Sequence, residues 1–263
     1  MTTTIYDTKK MLIASDSRWS ASVALSDGQH LLFVDDTKFH KLADRTGAVL
    51  VLAGDGELIS SWKEWWISSD GLDPDEIPAV SIGGVRVISV MIVSKLDGEV
   101  LFDAGPKSAL VVPGDRPIYL AIFSGSGSNF ASMEWQSSEC PYAALDAAKR
   151  HDPCSGGGTM YVEMVGSNHN LHDESFDFST VTNALLQRGF LMKLAQMGPN
   201  TVMPLASHPD CERVMSDLSS GAIRACAPMG GMKNPVDWSE MQHQRLKAAI
   251  GKVADIEKAM KQR

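Results

Sequence analysis

The chain has 263 residues, 44% apolar and 21% charged, enough to bury a large core as one domain or as a domain with an appendage. Its 24 Lys and Arg against 32 Asp and Glu leave a net charge of −8 with no basic stripe, which speaks against a nucleic-acid partner. The longest apolar runs, Val87–Val93 and Ile118–Phe123, fall far short of the roughly 18 residues of a membrane span, so no membrane association is expected. Cys140, Cys154, Cys211 and Cys226 form no C-x-x-C pair and follow no secretory leader; this predicts neither a zinc site nor a disulfide framework, no cofactor, and a reducing, cytoplasmic setting.

In chain order, Thr2–Tyr6 and Met11–Ala14 read as two short strands around a turn at Asp7–Lys10, a hairpin holding Thr2 near a sheet edge. Leu31–Asp35 and Ala48–Ala53 read as buried strands, and Gly54-Asp55-Gly56 opens a helix over Glu57–Ser68 whose Leu58, Ile59, Trp62, Trp65 and Trp66 recur at helical spacing. Val87–Val93 and Glu99–Phe102 flank Asp97-Gly98, a strong hairpin signal. Ile118–Phe123 is a strand leading into Gly125-Ser126-Gly127-Ser128, helices follow over Asn129–Trp135 and Tyr142–His151, and Thr159–Val165 returns as a strand. Gly166–Asp177 reads as a polar connector in which His169 and His172 are solvated, and Ser179–Met197 as a helix stopped by Gly198-Pro199. Asp237 caps a final helix, Trp238–Gln262, with Leu246, Ala249, Val253, Ile256 and Met260 three and four apart. Strands, a helix, strands, two helices and strands again argue for an α+β layered domain of antiparallel sheets covered by helices.

The chemistry starts at Thr2-Thr3-Thr4-Ile5. Removal of Met1 gives Thr2 a hydroxyl and a free α-amine on one residue, a nucleophile with its own base. An amide nitrogen has no usable lone pair, so any residue left in front of Thr2 abolishes that base. The alternative is a threonine-rich first strand, which suits β-branched residues.

Over Thr2–Val165 the chain resembles proteasome β-type subunits and their bacterial relatives among the N-terminal nucleophile hydrolases. The landmarks come in order: Thr2-Thr3-Thr4-Ile5, Ala14-Ser15-Asp16-Ser17-Arg18, Lys38, Ala53-Gly54, Gly125-Ser126-Gly127-Ser128, then Arg150-His151-Asp152 with Ser155-Gly156-Gly157. The resemblance implies a four-layer αββα sandwich, two antiparallel sheets flanked by helices, over residues 1–200, with a C-terminal extension over 201–263 ending in a long helix. It implies Thr2 as nucleophile, with Thr3 an alternative, and Lys38 as the ammonium that lowers the pKa of hydroxyl and amine, with Lys41 competing. Asp16 is the partner of that lysine, Ser126 and Asp152 bond around the threonine amine, and Gly54 donates its N–H to the oxyanion. Ser155 and Gly156 lie beside them and, with Ser20 and Gly54, are implied to bind the oxyanion or the backbone of an extended substrate, and Trp19, His40 and Leu52 line the pocket before the cut.

The function so implied is a threonine peptidase cutting peptides or unfolded proteins, conditional on loss of Met1, inside a ring or other closed homo-oligomer with a possible ATPase partner. A catalytically silent proteasome-like subunit and an amidase acting on a small non-peptide amide are the alternatives. Gly198–Lys233, rich in Pro, Met and Gly, has no functional reading.

Overall fold

The computed structural model describes residues 2–261 apart from 69–71, 116, 167, 195–200, 228 and 230–237. Its centre is the N-terminal hairpin, β1 (Thr3–Asp7) and β2 (Leu12–Asp16), in a six-stranded sheet. β1 pairs antiparallel with β12 (Ile118–Gly125) and through it with β11 (Lys107–Val112); β2 pairs with β13 (Thr159–Glu163), which carries β14 (Asn168–His169).

A second, nine-stranded sheet runs β10 (Val100–Ala104), β9 (Ile88–Ser94), β6 (Ala48–Asp55), β17 (Cys226–Ala227), β3 (Trp19–Leu25), β4 (Gly28–Val34), β15 (Phe190–Lys193) and β16 (Thr201–Pro204), with β5 (Leu42–Asp44) paired to β6. A small hairpin joins β7 (Ser81–Ile82) to β8 (Val85–Arg86). The helices are α1 (Gly56–Trp66), α2 (Ser128–Ser138), α3 (Pro141–His151), α4 (Ser179–Arg188), α5 (Cys211–Ser219) and α6 (Glu240–Lys261), with one 3-10 turn at Leu205–Ser207.

Period-two alternation sorts the strand residues into layers. Ile5, Ala14, Ala121 and Phe123 face Ala131 and Trp135 of α2 and Ala144, Leu145 and Ala148 of α3. Their neighbours Tyr6, Ile13, Ile122 and Val162 turn the other way, onto Leu42, Val49, Val51, Met91 and Val93 of the second sheet. Leu50, Leu52, Val90 and Ile92, one residue out of step, reach the far side and meet Ile59, Trp62 and Trp66 of α1, Val181 and Leu185 of α4, and Leu246 and Ile250 of α6. The protein is therefore α+β, two antiparallel sheets with helices, an arrangement compatible with a sandwich.

Local chemistry explains most boundaries. The Asp55 carboxylate accepts from the N–H groups of Glu57 and Leu58 at 3.0 and 3.2 Å and starts α1. Asp97-Gly98 closes the β9–β10 hairpin, with Gly98 at φ +74°. One expectation fails: the helix predicted over Ser179–Met197 ends at Arg188, because the chain extends at Gly189 and Phe190–Lys193 alternates as β15 along β4. The segment has both periods, and pairing with Leu31–Phe33 decides for the strand. Gly198-Pro199 and Asp237 lie outside the described residues.

Leu246, Ala249, Ile250 and Val253 of α6 are buried with the residues of β6 and β9. Leu246→Ala is expected to lower unfolding free energy by about 2–5 kcal/mol in urea titration; a loss below about 1 kcal/mol would make α6 a peripheral appendage.

Candidate active site

Thr2 enters β1 where β12 ends, and the two are brought together by Gly125. That glycine sits at φ +89°, and a Cβ on it would lie 1.8 Å from the Thr2 carbonyl oxygen; no other residue type fits there. The Thr2 hydroxyl donates to Asp16 Oδ1 at 2.6 Å, across the turn of the hairpin. The same oxygen accepts the Thr3 N–H at 2.9 Å and the Lys41 ammonium at 2.8 Å, while Oδ2 accepts the N–H groups of Gly156 at 3.0 Å and Arg18 at 3.2 Å. Thr2, Asp16 and Lys41 are all buried. Burial by itself pushes the Asp16 carboxyl up, but the Lys41 charge and the hydrogen bonds from Lys41, Thr2 and Thr3 outweigh it and hold the group below the ordinary carboxylate value. Burial drives Lys41 below the ordinary lysine value, with Asp16 opposing.

The lysine is a correction. Lys38 has a side chain 67% exposed and pairs at the surface with Asp173 at 3.7 Å. Lys41, which competed with it, is the one that reaches Asp16. The segment turns inward after Lys38, so that Phe39, His40, Lys41 and Leu42 are all buried. It is pinned from outside by the Ser175 N–H on the Lys38 carbonyl at 2.8 Å and by Lys63 Nζ on the His40 carbonyl at 3.0 Å. Lys63 is itself buried and paired with Glu174 at 2.5 Å. The sequence signal was position within the apolar run: Lys41 abuts Leu42, whereas Lys38 precedes the run.

A second cluster lies on the α3 side. Ser126 and Ser155 both donate to Asp152 Oδ2, Ser155 at 2.7 Å, and Ser155 Oγ lies 2.8 Å from Thr3 Oγ1. Ser126, Asp152 and Ser155 thus come together, but their side-chain link runs to the Thr3 hydroxyl, where the resemblance implies the amine of Thr2. Gly156 is placed differently from the expectation that it lies along substrate, since its N–H is committed to Asp16. Arg18, unassigned in the sequence reading, fastens this loop: it donates to both Asp35 oxygens at 2.8 Å and to the Pro153 carbonyl at 2.7 Å.

Gly54 (φ +127°) and Ser20 end up on facing sides of β17, opposite Ala227 and Cys226 respectively. Trp19 and Leu52 are fully buried in the apolar cluster under α1, with Trp19 Nε1 donating to the Phe39 carbonyl at 2.9 Å; they are core, not pocket walls. His40 is buried as well, and burial, with Lys63 and Lys41 adding to it, lowers its pKa to about 4.

Among the described residues, Asp27, His30 and His208 bring ligand-type atoms within 4.8 Å of one another. The Asp210 N–H donates to His208 Nδ1 at 3.0 Å, which leaves Nε2 to donate to Asp27 Oδ1 at 3.3 Å, and Lys193 holds Oδ2 at 2.8 Å. The His208 and Asp27 atoms are thus satisfied as hydrogen bonds, whereas the buried His30 Nε2 has no hydrogen-bond partner and lies 3.6 Å from Asp27 Oδ1.

No protein-family model matches the chain, and no curated protein matches it significantly. Among solved structures, it is similar to Thiobacillus denitrificans BPH in complex with Epoxomicin at 12% identity and TM-score 0.32, over 61% of this chain and 96% of that one. A likeness of that size carries no argument, and the site stands on its own geometry. No helix among the described residues is long and apolar enough to cross a membrane.

Lys41→Met strands a buried carboxylate and is expected to cost about 3–5 kcal/mol of stability, whereas Lys38→Met stays within about 0.5 kcal/mol. Equal effects in urea titration would contradict the assignment. His40 is neutral in the folded state down to a pKa of about 4, against an ordinary 6.5. A lowered folded value means that its contribution is complete above pH 6.5 and is lost as pH falls towards 4. That loss amounts to up to about 3 kcal/mol. His40→Gln should flatten this part of the stability–pH curve; an unchanged curve would show that His40 does not carry it.

Proposed function

We propose that the protein is an N-terminal nucleophile hydrolase of proteasome β type, in which Thr2 attacks an amide carbonyl once Met1 is gone. The observation that supports this reading is the convergence of Thr2 Oγ1 and Lys41 Nζ on one oxygen of a buried carboxylate, at 2.6 and 2.8 Å. A surface threonine has no use for such an arrangement. In this reading Lys41, bonded to the same oxygen, offsets the charge of the carboxylate and is the cation that favours deprotonation of the hydroxyl.

In the proposed reaction the Thr2 Oγ–C bond forms as the hydroxyl proton passes to the α-amine. The tetrahedral adduct then expels the substrate nitrogen, which takes that proton, leaving a threonyl ester. Water adds to the ester carbon with its proton again taken by the amine, and the acid departs as the hydroxyl of Thr2 is restored. Asp16 keeps Lys41 charged and oriented, and the Gly54 N–H is assigned to the oxyanion. Ser126, Asp152 and Ser155 set the Thr3 hydroxyl and with it the backbone next to Thr2. Residues 1–200 are assigned this chemistry and 201–263 are the C-terminal extension; a peptide or unfolded-protein substrate, a closed homo-oligomer and an ATPase partner belong to the same proposal.

The second reading, a silent proteasome-like subunit, is favoured by one observation: a strand of the chain itself lies between Ser20 and Gly54. The two readings part on chemistry at the N-terminus. Natively produced protein should be lighter by one methionine, and a peptide epoxyketone should add once to it and not at all to Thr2→Ala. Lys41→Met should slow the addition by about a hundredfold. Retained methionine, or labelling that survives Thr2→Ala, would sink the enzyme.

A further inference from the structure

β17 is two residues long, yet it joins the two halves of the nine-stranded sheet. Cys226 is opposite Ser20 of β3 on one side and Asp55 of β6 on the other, and Ala227 is opposite Gly54; both pairings are antiparallel. In the strand order β6 and β3 are neighbours only through β17. The gap between them is one strand wide, about 4.8 Å to each side. Ser20 and Gly54 are the two positions assigned to the backbone of an extended substrate. Cys226 and Ala227, at the end of the segment Ile223–Ala227, therefore hold the positions that such a substrate would take.

Its side chains alternate as a bound peptide's would. Ala225 and Ala227 are buried in the apolar cluster beneath α1, and Cys226 points the other way. Burial pushes the Cys226 thiol above its ordinary value. The rest of the anchoring is slight. Ile223 N–H reaches the Asp217 carbonyl at 3.0 Å, and Arg224 meets Asp55 at 3.3 Å through a half-exposed side chain. Among the described residues, two ladder positions, two small buried side chains and one partly exposed ion pair are less to give up than the packed strands on either side.

We propose that the slot between β3 and β6 takes extended peptides with small apolar side chains at alternate positions, and that Ile223–Ala227 is its built-in occupant, which such a peptide must displace. This deepens the peptidase reading and rests on it for the identity of the slot. Main-chain pairing with both strands supplies the affinity, and the shallow sites now filled by Ala225 and Ala227 supply the selectivity. Because the free slot is a minor state of the wild-type chain, its apparent affinity is reduced by that fraction.

The test uses the full chain and a fluorescein-labelled, capped pentapeptide, Ile-Arg-Ala-Ser-Ala, followed by anisotropy. Cys226→Pro removes a donor from β17, and Ala227→Asp puts a charge into its apolar site. Either variant, with its sheet content retained by circular dichroism, should bind the pentapeptide at least about tenfold more tightly than wild type does, and a peptide with tryptophan in place of both alanines should not bind. Equal affinity for wild type and variants, or no binding to any of them, overturns the proposal. Should both substitutions unfold the protein, hydrogen exchange on wild type decides: excess pentapeptide should speed exchange at Cys226 and Ala227, and unchanged exchange overturns it. Epoxyketone labelling of Thr2 in parallel separates the two claims. Peptide binding without labelling keeps the occupied slot and removes the nucleophile, whereas labelling at one rate in wild type and variants keeps the nucleophile and removes the occupant.

Discussion

A single buried carboxylate organises the molecule. Asp16 accepts from Thr2, Thr3, Lys41, Arg18 and Gly156, which come from the chain start, the entrance to β5, the start of β3 and the loop after α3. Such a charge is tolerated in the interior only because its lone pairs are so fully used. The requirement runs both ways: the carboxylate needs all its donors, and each donor fixes the position of an otherwise unrelated segment. The second buried cation works alongside, since Lys63 holds the carbonyl of His40 and Glu174 neutralises it. Two interior ion pairs thus frame the residues from Phe39 to Leu42.

The apolar layers give this polar centre its rigidity. β6 serves both sides, with Val49 and Val51 facing the first sheet and Leu50 and Leu52 facing the helices. A slip of one residue in this strand would exchange the two faces, and because both are filled the register is firmly set. The register of β6 in turn fixes Gly54 at its end. The same strand continues directly into α1 through the Asp55 cap, so the helix, the glycine and the slot beside it are placed by one continuous piece of chain.

Much of this was legible from residues alone. The N-terminal hairpin, the Asp97-Gly98 turn, the buried run at Ala48–Ala53 and the tryptophan-rich helix all announce themselves through period and turn chemistry, and the structure has each of them within a few residues. Thr2 and Asp16 were legible through the resemblance their motifs carry, and the hairpin brings the Thr2 hydroxyl to Asp16 Oδ1. What resisted was whatever depends on distant partners. Lys38 and Lys41 differ only in which one the core accepts, and the outcome rests on Glu174 and Ser175, far along the chain. β15 looked like the end of a helix until it met β4. β17 is too short for any periodic pattern, and its two residues form a strand only because β3 and β6 leave a gap of one strand's width.

Thr4 lies opposite Ser124, and Thr159 opposite Asp16. β1 and β2 can therefore complete their sheet only after residues more than a hundred positions further along the chain have joined them, and loops of that span close slowly. The cluster around Thr2 comes together only once the loop after α3, with Asp152, Ser155 and Gly156, has folded back onto the first hairpin.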